Sequence, residues 1–182
     1  MKNETGHTKD HPHTTSPLGA LLRTSSLFDG AIPFNLVNPE DFLSSLKSEM
    51  DAAKGRLAKI KEPSGPASFE NTMLIFETFS ETVEMISTLF NNLFSADASE
   101  AIKKISKDMA SLEAAFSSDL YLDGEIFKRI QELYQAKESL SLDPEQDRVV
   151  GETYRAFVRN GAKLTSEQKA RIRIVDQELA AL

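Results

Sequence analysis

The sequence predicts an all-α fold: about six amphipathic helices in an antiparallel bundle or array, behind a flexible N-terminal leader. Three observations carry that expectation. From Phe34 onward apolar residues recur at steps of three and four, the spacing that lines one face of an α-helix. The periodic stretches are separated by capping residues, prolines and glycines. Nowhere does apolar–polar alternation persist with the β-branched enrichment a strand needs.

The elements follow in order. Residues 1–33 are rich in Thr, Ser, His, Lys, Gly and Pro, and show no period before Leu18. They are expected to form a leader in which Leu18, Leu21, Leu22, Leu27 and Phe28 could dock on a core spanning residues 34–182. The first helix is expected at Asn38-Pro39-Glu40-Asp41. Asn38 can cap, Pro39 loses nothing in a first turn whose N–H groups are unpaired, and the acids suit the positive end of the dipole. Its stripe is Phe42, Leu46, Met50, Ala53, Leu57 and Ile60, and Pro63, Gly65 and Pro66 end it.

A second helix is expected from Ser68 to about Phe94, striped by Phe69, Met73, Phe76, Phe79, Val83, Ile86, Phe90 and Leu93. As the most apolar segment it is placed at the centre of the bundle. A third begins near Asp97, with Glu100 completing a capping box, and carries Ile102, Ile105, Met109, Leu112 and Phe116. A turn is expected over 119–123. A fourth helix runs to about Leu140 through Phe127, Ile130, Leu133, Tyr134 and Lys137. The fifth opens at Asp143-Pro144-Glu145-Gln146, turns Val150, Tyr154, Phe157 and Val158 inward, and stops at Gly161. The sixth opens on the capping box of Thr165 and Gln168. The short turn between these last two predicts an antiparallel hairpin.

The last helix runs through Ile172, Val175 and Leu179 to Leu182 without a stop signal, which predicts that the parent polypeptide continues.

Composition excludes several functions. The net charge is −7 and no dense basic run occurs, which speaks against a nucleic-acid surface built on phosphate neutralisation. The chain has no cysteine, so disulfides, thiol catalysis and cysteine-ligated zinc are out. No apolar run is long enough to span a membrane and no secretory signal is recognisable, so no membrane partner and a cytoplasmic setting are expected. Phosphate-cradling glycine loops are absent too.

Four elements, in this order and spacing, resemble a known family. Pro33-Phe34-Asn35 precedes Asn38-Pro39-Glu40-Asp41-Phe42; Phe69-Glu70-Asn71-Thr72 opens the second helix; Leu142 to Gln146 leads to Tyr154-Arg155-Ala156-Phe157-Val158-Arg159-Asn160-Gly161-Ala162; and Lys169 to Leu182 follows. Together they resemble the N-terminal region of the thimet oligopeptidase, oligopeptidase A and peptidyl-dipeptidase family of zinc metallopeptidases. The likeness covers roughly residues 32–182; Ala156 departs from it, standing where the family often has Asp. The resemblance implies an enzyme in which an N-terminal helical domain and a C-terminal catalytic domain face each other across a channel admitting short peptides. Zinc would be held by a His-Glu-x-x-His helix far downstream, two histidines one turn apart and a glutamate activating the bound water.

That motif is absent. The three histidines are His7, His11 and His13; His7 and His11 have the spacing but no Glu follows His7. No catalytic, cofactor-binding or metal-binding residue is therefore assigned. The expected partners are the missing catalytic domain and short peptides, with zinc confined to the intact parent; this chain alone is expected to be inactive. The rival is a stand-alone helical interaction module related to the peptidase but without catalysis.

Other features have plainer roles. Glu70 reads as a first-turn acid complementing the helix dipole rather than a site acid. The Phe69, Phe76, Phe79 and Phe90 stripe reads as core before a peptide-binding face. Arg155 and Arg159 could hold a peptide carboxylate, but a solvated face paired with Glu152 is the simpler reading. Asp119, Asp123 and Glu125 lack the spacing and glycine of a calcium loop.

Overall fold

The structure, a computed structural model, describes residues 16–23, 32–62, 65–96 and 99–180. The described residues are helical and contain no strand. The helices are α1 (Pro17–Arg23), α2 (Asp41–Lys61), α3 (Leu74–Thr78), α4 (Glu81–Ala96), α5 (Glu100–Tyr121), α6 (Gly124–Ala136), α7 (Pro144–Arg159) and α8 (Ser166–Ala180). A π-turn over Phe69–Met73 runs straight into α3.

α2 is the element the others gather on: α1, α3, α4, α5 and α6 all pack against it. The centre is therefore α2 rather than the phenylalanine-rich segment. Its predicted stripe is buried in full, from Phe42 through Leu46, Met50, Ala53 and Leu57 to Ile60. Phe90 of α4 meets Phe42 edge-on at 5.4 Å, the favourable arrangement for two ring quadrupoles. Each fully buried side chain of this size contributes about 1.5–3 kcal/mol from apolar burial, so this stripe is the main source of cohesion.

The leader contributes an element that the periodicity did not announce. α1 lies on α2 and α4 with Leu18 and Leu22 buried, as their docking role required. Gly19 allows the approach, because a Cβ there would collide with Ser16 Oγ and Glu49 Oε1. Glu49 is buried and satisfied from α1, accepting from Ser16 Oγ at 2.8 Å and from Arg23 Nη2 at 3.2 Å. Leu27, Phe28 and the three histidines lie outside the described residues.

The segment expected as one helix from Ser68 to Phe94 is interrupted at Phe79 and Ser80. Arg56 Nε, from α2, donates to the Phe79 carbonyl at 2.7 Å. A helix tolerates a break where a side chain satisfies the freed backbone group. Thr78 Oγ1, bonding back to the Leu74 carbonyl at 2.8 Å, favours a bend at the same place.

Four further boundaries differ from expectation. α2 starts at Asp41, behind Glu40 and without a side-chain cap; Asn38 Oδ1 accepts from the Glu40 amide at 3.2 Å instead. α5 starts at Glu100 and is capped by Ser99, which accepts from the Ile102 amide at 3.4 Å; Asp97 lies outside the described residues. α5 continues through Asp119 to Tyr121, so only Leu122 and Asp123 separate it from α6. α6 ends at Ala136 in a 3₁₀ turn over Lys137–Ser139.

The expected hairpin of the last two helices does not form. α7 packs on α6, where Tyr134 and Tyr154 stack with centroids 4.1 Å apart, while α8 lies mainly along α5. Gly161 directs this departure. It has φ +92°, and the Ala162 amide donates to the Phe157 carbonyl at 3.0 Å in a Schellman-type stop. Lys169 Nζ then donates to the Leu122 carbonyl at 3.1 Å, and Arg173 meets Asp119 at 3.5 Å, so α8 runs antiparallel to α5.

Candidate functional site

The Phe69-Glu70-Asn71-Thr72 element is built as a lock. Ser68 caps the π-turn by accepting from the Asn71 amide at 3.2 Å, and Asn71 Oδ1 accepts in return from the Ser68 amide at 2.9 Å. The reciprocal pair is a capping box with Asn in the third position. Asn71 Nδ2 donates back to the Pro66 carbonyl at 2.9 Å, and Thr72 Oγ1 donates to Asn71 Oδ1 at 2.8 Å. Arg129 of α6 then reaches across: Nη2 donates to Asn71 Oδ1 at 3.2 Å and Nη1 to the Gly65 carbonyl at 3.1 Å. Its remaining charge is met by Glu132 at 3.2 Å. Arg129 is only 9% exposed, so these contacts are shielded from water and worth more than surface pairs.

Glu70 is exposed in the first turn, and the capping belongs to Ser68 and Asn71. Arg155 donates to Glu152 at 2.9 Å on the outer face of α7, as the solvated reading required. That hydrogen bond from Arg155 is the main reason the Glu152 carboxyl is held below its ordinary value.

Asp119 and Asp123 are used inside the fold. Asp119 faces Lys54 at 3.8 Å and Arg173 at 3.5 Å. Asp123 caps α6 by accepting from the Glu125 and Ile126 amides at 2.9 and 3.0 Å, and it pairs with Lys61. Burial pushes its carboxyl up, but the Lys61 hydrogen bond and the two amides outweigh that and leave it below the usual aspartate value. These residues line a cleft of about 340 Å³ between α2, α5 and α8, whose carboxylates already have cations from the chain itself.

A second, larger groove runs between α3–α4 and α5, with a volume of about 600 Å³. Phe76, Phe79, Phe116 and Tyr121 line it, and Phe79 stacks on Phe116 at 6.1 Å. The phenylalanine stripe is thus mainly core, with Phe76 and Phe79 also facing this groove. Glu77, Glu84 and Glu113 stand on its walls. Sequence reasoning passed over Arg129 and Glu113, although both carried a signal. Arg129 falls three residues after Ile126 and four before Leu133, and Glu113 four after Met109 and three before Phe116: charges on inward faces.

Among the described residues no group of three His, Asp or Glu gathers as a metal would require. Among the described residues, neither groove brings a nucleophile and a base together.

The fold and clefts define a class: an all-helical protein among the described residues, with clefts between its helices. No family model matches the chain. It is similar to the dipeptidyl carboxypeptidase of Escherichia coli (strain K12), 27% identical over 149 residues, which is 82% of this chain and 22% of that protein. It is also similar to the dipeptidyl carboxypeptidase of Salmonella typhimurium (strain LT2), 30% identical over 125 residues, 69% of this chain and 18% of that protein. The chain thus spans about a fifth of the length of these relatives. No described helix is long and apolar enough to cross a membrane.

Proposed function

We propose that this chain is the non-catalytic, N-terminal helical domain of a zinc-dependent oligopeptidase, and that it forms one wall of a channel admitting short peptides. The observation that carries this reading is the similarity to dipeptidyl carboxypeptidases along 82% of the chain but only 22% of the relative. The His-Glu-x-x-His signature is missing from the sequence, so hydrolysis belongs to residues outside it. Zinc, in the intact enzyme, would activate a water for attack on the peptide carbonyl. The wall's contribution would be shape: size selection, positioning of the peptide and its removal from water.

Apolar side chains left exposed on α8 support a further body of protein beside it. No α8 residue is fully buried, and Ile174 and Leu179 are 47% and 63% exposed. The partners of this reading are the catalytic part and short peptides, in a cytoplasmic setting.

The test is direct. The purified chain, supplied with zinc and a blocked short peptide, should release no product. Cleavage that disappears on adding a chelator would overturn the assignment as non-catalytic.

A further inference from the structure

α1 is held differently from the longer helices. It has seven residues, Pro17–Arg23, well below the length at which a helix persists in water without a surface to lie on. Its ends are self-contained. Ser16 Oγ accepts from the Gly19 amide at 3.0 Å, Pro17 suits the first turn, and Arg23 suits the last. Its helical form is written in its own residues, while its persistence depends on the seat beneath it on α2 and α4.

That seat is keyed. Ser45 and Glu49 stand one turn apart on α2, and both are buried. Ser45 Oγ accepts from the Leu18 amide at 3.2 Å. Glu49 Oε1 accepts from Ser16 Oγ at 2.8 Å and from Arg23 Nη2 at 3.2 Å. Among the described residues, both donors to Glu49 come from the α1 segment. Gly19 crosses Glu49 where a Cβ would collide. Lifting α1 would return these polar groups to water rather than orphan them inside the fold, so separation carries no desolvation penalty. What opposes it is the burial of Leu18 and Leu22, and against that stands the entropy of ordering the whole of Ser16–Arg23. An element so balanced opens at far less cost than the domain unfolds.

We propose that α1 is a strap: it leaves its seat and returns as a unit while α2 and α4 stay folded. The surface it uncovers is a docking groove for a short helix with a hydroxyl at its cap, glycine three residues on and arginine seven on. Its occupant is residues 16–23 of this chain, bound in cis. Nothing in this inference depends on the channel-wall reading.

The chain has no cysteine, so a single introduced thiol reports opening. Leu22→Cys and Leu46→Cys place one at a buried position of α1 and of α2. Labelling should be about 100-fold faster or more at position 22, and independent of urea below the unfolding transition; at position 46 it should accelerate with urea. Adding Arg23→Gln should speed labelling at position 22 by about two- to five-fold and leave position 46 unchanged. Because a new cysteine can itself loosen α1, hydrogen exchange of the parent chain is measured in parallel, with the same contrast in urea dependence expected between α1 and α2. The groove is tested with the full-length Leu18→Ser/Leu22→Ser variant, whose own strap is disabled, by NMR titration with a blocked peptide of residues 16–23. The variant should bind it about ten-fold tighter or more than the parent, whose seat is filled in cis, and the same peptide carrying Arg23→Glu should bind markedly less. Equal labelling at the two positions, or one urea dependence for α1 and α2 amides, overturns the strap. A double variant that no longer folds also overturns it, since α2 and α4 would then need α1. A folded variant that binds neither peptide, or both equally, overturns the groove.

Discussion

Arg129 Nη2 and Asn71 Oδ1 meet at 3.2 Å across 58 residues of sequence, and the same guanidinium holds the Gly65 carbonyl. One side chain on α6 thereby fixes the loop, the capping box and the π-turn that begin the α3–α4 segment. The Phe69-Glu70-Asn71-Thr72 motif thus acts as a fastening between two parts of the fold.

Breaking that fastening from either side should destabilise the chain by about 1–3 kcal/mol, the range for orphaning a buried hydrogen-bonded group. Asn71→Ala and Arg129→Met should be less than additive in urea unfolding, with a coupling of roughly 0.5–3 kcal/mol. Strict additivity would show that the pair does not act as a unit.

Two glycine-to-alanine changes should have opposite signs. Gly55 lies within α2 with open space around its Cβ position, so Gly55→Ala should stabilise by roughly 0.5–1 kcal/mol. Gly19→Ala should release α1, because the new methyl collides with Ser16 and Glu49. Faster amide exchange over Pro17–Arg23, with α2 little changed, is the expected signature. Unaltered protection of α1 would contradict the packing account.

Gly161→Ala should cost roughly 1–2 kcal/mol from the left-handed backbone alone. The methyl would also press on Leu122, Leu164 and Ile172, where α8 joins α5. The melting temperature should fall, and proteolysis within α8 should speed up. A melting point within error of the parent would count against the Schellman stop as the device that directs α8.

Helix ends were legible where their chemistry is local: Asp143 with Gln146, Thr165 with Gln168, and Gly161 as a stop. The apolar stripes were legible for the same reason, since a period of 3.6 is written in neighbouring residues. What escaped depends on distant partners. The break at Phe79 is satisfied by Arg56, 23 residues away, and α8 is drawn to α5 by contacts such as Lys169 with Leu122, 47 residues away. α1 is too short to display a period, and its docking is decided by Gly19 and the buried Glu49. The groove was illegible because it needs α3, α4 and α5 brought together; only the inward spacing of Glu113 hinted at it.

Asp123 gives a pH prediction. Its carboxyl lies below the unfolded value of 3.8 in the folded chain, so its contribution is present above that value and lost as pH falls through the folded value. Asp123→Asn keeps a good cap but loses the Lys61 charge pair, so its stability should depend less on pH below about 4 than that of the parent. Asp123→Ala should cost a further amount of about 1 kcal/mol through the lost cap. Identical acid unfolding curves for parent and Asn variant would remove Asp123 from the account.

The central claim is that this chain is the helical wall of a peptidase. It is tested most directly by exchanging the matched segment of the Escherichia coli dipeptidyl carboxypeptidase for residues 32–182, confirming that the hybrid folds cooperatively and binds zinc, and then measuring dipeptide release from a blocked peptide. The account predicts zinc-dependent release that is lost when the inserted segment is deleted. A folded, zinc-loaded hybrid that releases no dipeptide would contradict it.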